Sequence, residues 1–343
     1  FGPVLLGLGT LQINTFLDTL IAMWPVWVGP TIAGRTYPLD DASNVILTAA
    51  QRLYQFPLGV FGIAVATAVF PLLARVADER EGFEGVLRRG LRLSLFIGLP
   101  ASIGLLLVRD ELIATFFVSG GAGASGGGGA GSGGVPGGFD AAAAERSSFV
   151  LAGFACGVWA YSLNHVLTRA FYARKDTRTP MRVSIAMVAL NLALNCTLIW
   201  PFKEAGLAIA TGVTAALQCA VLFALARTKL GVRPLDAVTL RGAGRVVLAT
   251  VLMGAGVWGV LQGATLAGLH AGPGAPWVHH AGRLALGTIA GAGLYTLLAL
   301  ALRLPELRWL AARDRRPTSA PPAASATPAP PAGSATPAPL DGE

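Results

Sequence analysis

The 343-residue chain is 53% hydrophobic and only 13% charged, about half the charged share of an ordinary soluble domain. With a mean hydropathy of +0.60, this composition excludes a soluble globular enzyme and points to a polytopic α-helical membrane protein. A formal charge of +8 would mark a nucleic-acid binder in a soluble chain, whereas in a membrane protein basic residues orient the spans, so their placement decides.

The chain opens on Phe1, already in an apolar run. It has no basic n-region or small-residue cleavage site ahead of it, so this is not a signal peptide but reads as the middle of a longer protein. Eight apolar segments follow within a bundle over residues 1–312, at about 4–28, 45–73, 91–108, 149–172, 183–200, 205–226, 246–267 and 284–302. Most are Leu/Ala/Val/Gly-rich without the alternation of barrel strands, so helical spans of roughly 20 residues are expected rather than a β-barrel. Gly59, Gly62, Ala64 and Ala66 in the second segment let helices approach closely, and Pro57 kinks that helix. Residues 75–92, RVADEREGFEGVLRRGLR, mix both charge signs with Phe83, Val86 and Leu87. They predict an amphipathic helix on the cytoplasmic surface, serving as a solvated connector or a partner site. Residues 119–138 contain twelve glycines and read as a flexible periplasmic loop. Residues 317–343 form a Pro/Ala-rich cytoplasmic tail with too little apolar content to fold.

Nineteen Lys and Arg fall in one alternating set of loops and five (Arg35, Arg109, Arg146, Lys203 and Arg283) in the other. The positive-inside rule then places both ends of the chain in the cytoplasm, and the basic excess needs no nucleic acid to explain it. Cys156, Cys196 and Cys219 sit in apolar runs without CxxC or His/Cys spacing. They read as small buried hydrophobes rather than disulfide or zinc ligands. The loops carry no GxSxG, P-loop or HExxH motif, so no catalytic site is expected.

Polar residues inside spans are costly and ask for a partner or a cavity. Asp18, Arg52, His165, Arg169, Asn191, Asn195, Thr211 and Thr214 are the candidates. Arg52 either faces a cavity, where its guanidinium can hold a phosphate bidentately, or snorkels to the headgroups. Asn191 and Asn195, at i and i+4, share a helix face that Thr211 can meet from the next helix. With Asp18 they make an oxygen-rich set suited to a monovalent cation or a proton relay, or else simple interhelical hydrogen bonds. Asp18 could also pair with Arg52. Arg169 reads as an interface anchor, and His165 as a packing residue able to titrate near neutrality.

Several stretches together resemble the MurJ/MviN lipid II flippases of the MOP exporter superfamily. They are LQINTFLDTLIA (11–22), QRLYQFPLGVFGIAVATAVFPLLAR (51–75), GLRLSLFIGLPASIGLLL (90–107), RAFYARKDTRTPMRV (169–183) and LNLALNCTLIWPFKEAGLAIATG (190–212). The resemblance implies the second bundle of a fourteen-helix transporter in the bacterial inner membrane. Such a transporter moves lipid-linked peptidoglycan precursor to the outer leaflet by alternating access, together with an N-terminal bundle. It implies that Arg52 binds substrate, and that Asp18, Asn191, Asn195 and Thr211 hold Na+ or a proton as coupling ion, with no other cofactor. The alternatives are another exporter of lipid-linked oligosaccharides or drugs in the same superfamily, a non-transporting membrane scaffold for envelope assembly, and an integral-membrane glycosyltransferase, which the lack of acidic catalytic residues in the loops disfavours. The chain departs from the family pattern at Gln51, where Asp is usual, at Thr168-Arg169, where a proline is usual, and in the Gly-rich stretch.

Overall fold

In hydrocarbon every backbone N–H and C=O has to be paired within its own segment, so apolar runs of this composition become helices. The computed structural model of the protein describes residues 2–32, 34–118, 141–234, 236–270, 272 and 275–307. Both the Gly-rich stretch 119–138 and the tail 317–343 lie outside the described residues.

In chain order, α1 (Gly2–Ala22) is followed by the short α2 (Trp24–Trp27) and an antiparallel hairpin of β1 (Thr31–Ile32) and β2 (Arg35–Thr36). Thr31 lies opposite Thr36, and Gly34 turns the chain at a φ of 78°. Two further spans are broken. In the first, α3 (Ser43–Pro57) ends at its proline, passes into a π-helical stretch over Leu58–Ile63 and continues as α4 (Ala64–Arg75). In the second, α7 (Ala141–Ala155) and α8 (Val158–Ala173) meet at Gly157, whose missing side chain admits Gly212. Between these spans run α5 (Arg80–Leu107) and α6 (Arg109–Ile113), the latter extended by a π-helical stretch over Ala114–Val118. The remainder is α9 (Arg178–Phe202), α10 (Glu204–Lys229), α11 (Ala237–Leu266) and α12 (Trp277–Ala301).

Among the described residues, seven stretches are long and apolar enough to cross a membrane. They are Ser43–Arg75, Arg80–Leu107, Ala141–Ala173, Arg178–Phe202, Glu204–Lys229, Ala237–Leu266 and Trp277–Ala301. The 21 residues of α1 rise about 31 Å, which also matches a hydrocarbon core. The fold is therefore an all-α multi-pass bundle.

Three sequence expectations need correction. Residues 80–92 form no separate surface helix: they are the first turns of α5, whose 28 residues run about 42 Å. Phe83 and Leu87 are fully buried against Leu73 and Phe171, so the apolar stripe faces the bundle rather than a membrane surface. Arg283 is no loop residue, because α12 begins at Trp277 and carries Arg283 inside the protein. Of the three cysteines only Cys219 is buried; Cys156 and Cys196 are exposed, since an apolar run in a membrane helix also supplies its outward face.

The broken span α7–α8 is the hub, packed on α3, α4, α5 and α10. One core at its C-terminal end gathers Leu73, Phe83, Leu87, Leu167, Phe171 and Leu222. A second at its N-terminal end gathers Ile46, Tyr54, Leu151, Phe154 and Leu207. A third joins Phe96 of α5 to Met253, Val257 and Tyr295 of the α11–α12 hairpin. Close helix contact rests on glycine: a Cβ on Gly206 would overlap the Leu198 carbonyl oxygen where α9 turns into α10 at Lys203, itself at a φ of 50°.

Candidate functional site

Three helices bring the predicted oxygen-bearing residues together. On α1, Asn14 and Asp18 stand one turn apart and are both buried, as are Asn191 and Asn195 on α9, which packs along α1. The tight turn at Lys203 returns α10 antiparallel to α9 and sets Thr211 and Thr214 beside the two asparagines. Asn195 donates from Nδ2 to Asp18 Oδ1 at 2.6 Å and to Asn191 Oδ1 at 3.1 Å. Asn191 donates in turn to Thr211 Oγ1 at 3.3 Å and to Thr214 Oγ1 at 3.4 Å. The two threonine hydroxyls also hydrogen-bond carbonyls one turn earlier on α10, at 2.9 Å each. All four predicted cation-site residues thus lie in one network, with Thr214 and Asn14 adjoining it.

The network holds more acceptors than donors. Asn195 Oδ1 and Asn14 Oδ1 are buried without a hydrogen-bond partner among the described residues. A carboxylate, amide oxygens and hydroxyls are hard ligands, and one carboxylate in neutral company suits a single positive charge. No cluster of three His, Cys, Asp or Glu that could hold a metal occurs among the described residues.

Arg52 is not part of this network. The buried face of α3, Ile46, Leu47, Ala50 and Tyr54, is fixed by stacking of Tyr54 on Phe154 at 4.4 Å. Arg52 falls on the opposite face and is exposed, with no ion pair to Asp18 or another described residue. Arg169 is half-buried and lies 5.6 Å above the Phe70 ring. His165, one turn away, packs near Gly62 of the π-helical stretch, and its Nε2 has no partner among the described residues.

Sequence reasoning missed several polar contacts between elements. Arg283 pairs with Glu111 at 3.0 Å, and Arg92 with Glu306 at 2.6 Å. The Tyr295 hydroxyl donates to the Phe96 carbonyl at 2.7 Å. Arg146 of α7 bonds both Glu204 of α10 and Asp40, while Ser43 donates to Glu204 at 2.5 Å. Arginine hydrogen bonds and charge hold the Asp40 carboxyl below the ordinary aspartate range. Also unforeseen is a cavity of about 470 Å³ between α5 and the α11–α12 hairpin, with a wall that is almost wholly apolar.

Broken spans and a buried, acceptor-rich polar network lie together in a multi-pass helical membrane bundle. The family model described as "Lipid II flippase MurJ" matches residues 1–126 and 135–269, and the chain belongs to that family. It is 30% identical over 259 residues to a probable lipid II flippase MurJ of Vibrio cholerae, covering 75% of this chain and 43% of the relative. A probable lipid II flippase MurJ of Haemophilus influenzae is 31% identical over 264 residues, with coverage of 75% and 45%. The chain thus spans less than half the length of these curated relatives. A solved lipid II flippase MurJ in an inward closed conformation aligns with a TM-score of 0.62 at 18% identity, over 88% of this chain and 54% of that one. An outward-facing MATE family transporter of the MOP superfamily aligns with a TM-score of 0.51 at 15% identity, over 90% and 67%. Both likenesses bear on the fold alone.

Proposed function

We propose that the chain is the second helical bundle of a lipid II flippase, acting with a first bundle of the kind its longer relatives have room for. The pair moves lipid-linked peptidoglycan precursor from the inner to the outer leaflet of the bacterial cytoplasmic membrane by alternating access. Family membership supports the substrate class, and the observation that carries the transport reading is the buried Asp18–Asn195–Asn191–Thr211 network with its unpaired oxygens. Arg52 is free to reach an anion from the exposed face of α3. Its planar guanidinium fits a pyrophosphate in two parallel hydrogen bonds, with further cations from the other bundle. Rocking of two bundles then carries the headgroup across while the lipid tail stays in the bilayer. An inside-negative potential favours that direction by about 2.3 kcal/mol per charge per 100 mV. Asp18, Asn191, Asn195 and Thr211 would hold Na+, or Asp18 a proton, supplying positive charge to the buried carboxylate. The excess of Lys and Arg in one set of loops supports a topology with both ends of the chain on the cytoplasmic side.

Flipping of a headgroup-labelled lipid II into the outer leaflet of proteoliposomes tests this reading on the full-length protein. Arg52→Ala is expected to slow flipping at least about tenfold, equivalent to 1.4 kcal/mol of lost stabilisation. Normal flipping by that variant would remove the anion role, and apolar replacements tolerated at both Asp18 and Arg52 would favour a scaffold.

A further inference from the structure

The α11–α12 hairpin meets the rest of the bundle along α5 and α6, and polar contacts cross that seam at three depths. At one end Arg283 donates Nε–H to Glu111 Oε1 at 3.0 Å. Its Nη1 donates to the Leu261 and Leu269 carbonyls, at 3.0 and 3.2 Å, and to Thr265 Oγ1 at 2.7 Å, where α11 ends. Midway, Tyr295 bonds the α5 backbone at Phe96. At the other end Arg92 of α5 pairs with Glu306 just beyond α12 and lies against Gly242 of α11, where an added Cβ would come within 3.0 Å of its Cζ. Arg283 is 6% exposed, Glu111 4% and Glu306 0%. Each ion pair therefore engages α5 or α6, α11, and α12 or its end, and from Arg283 to Ala301 the helix rises about 27 Å. Parting either pair would strand a charge in a low-dielectric interior. Between the ties lies the apolar cavity, lined by Pro100, Gly104, Met253, Gly287 and Gly291.

We propose that Glu111–Arg283 and Arg92–Glu306 are positioning pairs that hold the hairpin and α5–α6 as one rigid body throughout the transport cycle. The cavity between them keeps its shape, and the seams that open and close lie elsewhere in the bundle. This inference rests on the transport reading only for what the rigid body is rigid against.

A disulfide across the seam tests it. An ideal Cβ on Gly287 lies 3.1 Å from Val108 Cγ1, so Val108→Cys and Gly287→Cys, with Cys156, Cys196 and Cys219 replaced by alanine, can be joined. With the bond closed, flipping by the full-length protein is expected to stay within about twofold of the reduced form, since locking two parts of one rigid body costs no hinge motion. Flipping abolished by oxidation and restored by reductant overturns the proposal. If neither form flips lipid II, the transport reading fails and the seam is judged by spin labels at Glu81→Cys and Leu300→Cys in liposomes. One narrow distance, split or broadened by Arg92→Gln, supports the rigid unit; two distances with both ion pairs intact refute it.

Discussion

Two polar regions lie inside this apolar bundle and are built in opposite ways. Where α1, α9 and α10 meet, a single carboxylate is surrounded by neutral amides and hydroxyls, and two amide oxygens have no partner among the described residues. At the seam between α6 and α12, charges pair one to one, and Arg283 donates to four acceptors on three elements. An apolar surrounding penalises every unpaired polar atom. The saturated region therefore resists change, while the unsaturated one keeps acceptors free for the cation proposed to bind there. Burial alone does not separate them, since both are almost inaccessible to solvent. At the Arg283–Glu111 end the count of unspent acceptors does, whereas at the far end of the hairpin Glu306 Oε2 is itself buried without a partner among the described residues.

The widest gap between the two should appear on removing one charge. Arg283→Ala leaves Glu111 buried without its counterion and is expected to cost about 3–5 kcal/mol in detergent unfolding, most of it recovered in Glu111→Gln/Arg283→Met. A double variant as unstable as the single one would show that packing around Arg283, not the ion pair, holds the seam. Removing the Asp18 charge should act differently. Asp18→Asn is expected to unfold near the parent's midpoint but to lose a Na+-dependent stabilisation of about 2.7 kcal/mol at a hundred times the dissociation constant. Equal midpoints in NaCl and choline chloride for the parent would break the contrast. Gly206→Ala, at the turn that registers Asn191 and Asn195 against Thr211, should cost about 1–3 kcal/mol through overlap with the Leu198 carbonyl. It should also weaken Na+ stabilisation in the same titration.

The smallest effect is acidic. Because Arg146 holds the Asp40 carboxyl low, its contribution to stability is complete above the ordinary aspartate value of about 4 and is lost as pH falls through the lower folded value. Asp40 remains more than half exposed in this pair, so solvent screening keeps the effect small. A pH series of unfolding midpoints should show a shallow acid limb that Asp40→Asn flattens, with the Asp18 network unaffected.

The unsaturated region was the more legible of the two. Asn191 and Asn195 announce a shared face by their spacing, and Asp18 stands out because a carboxylate in an apolar run has few benign explanations. Asn14 was overlooked although it precedes Asp18 by one turn. The saturated seam was opaque for two physical reasons. Hydropathy registers only hydrocarbon depth, so it started the last span at 284 and cast Arg283 as a loop residue, although α12 begins at Trp277. Glu111 and Arg283 are also 172 residues apart in sequence, beyond any helical period. The same effect hid the start of α5, whose charged first turns bury Phe83 and Leu87 on one side.

The two ion pairs also have opposite polarity. At one end α5 contributes the cation and the residue beyond α12 the anion; at the other, α6 contributes the anion and α12 the cation. A slip of α12 by one turn, about 5.4 Å, would part both pairs at once, and an inverted helix would set like charges against each other. Docking of the hairpin is therefore all-or-none, with charge acting as a proofreader of register and direction that the apolar cavity wall, equally greasy at every depth, has no means to supply.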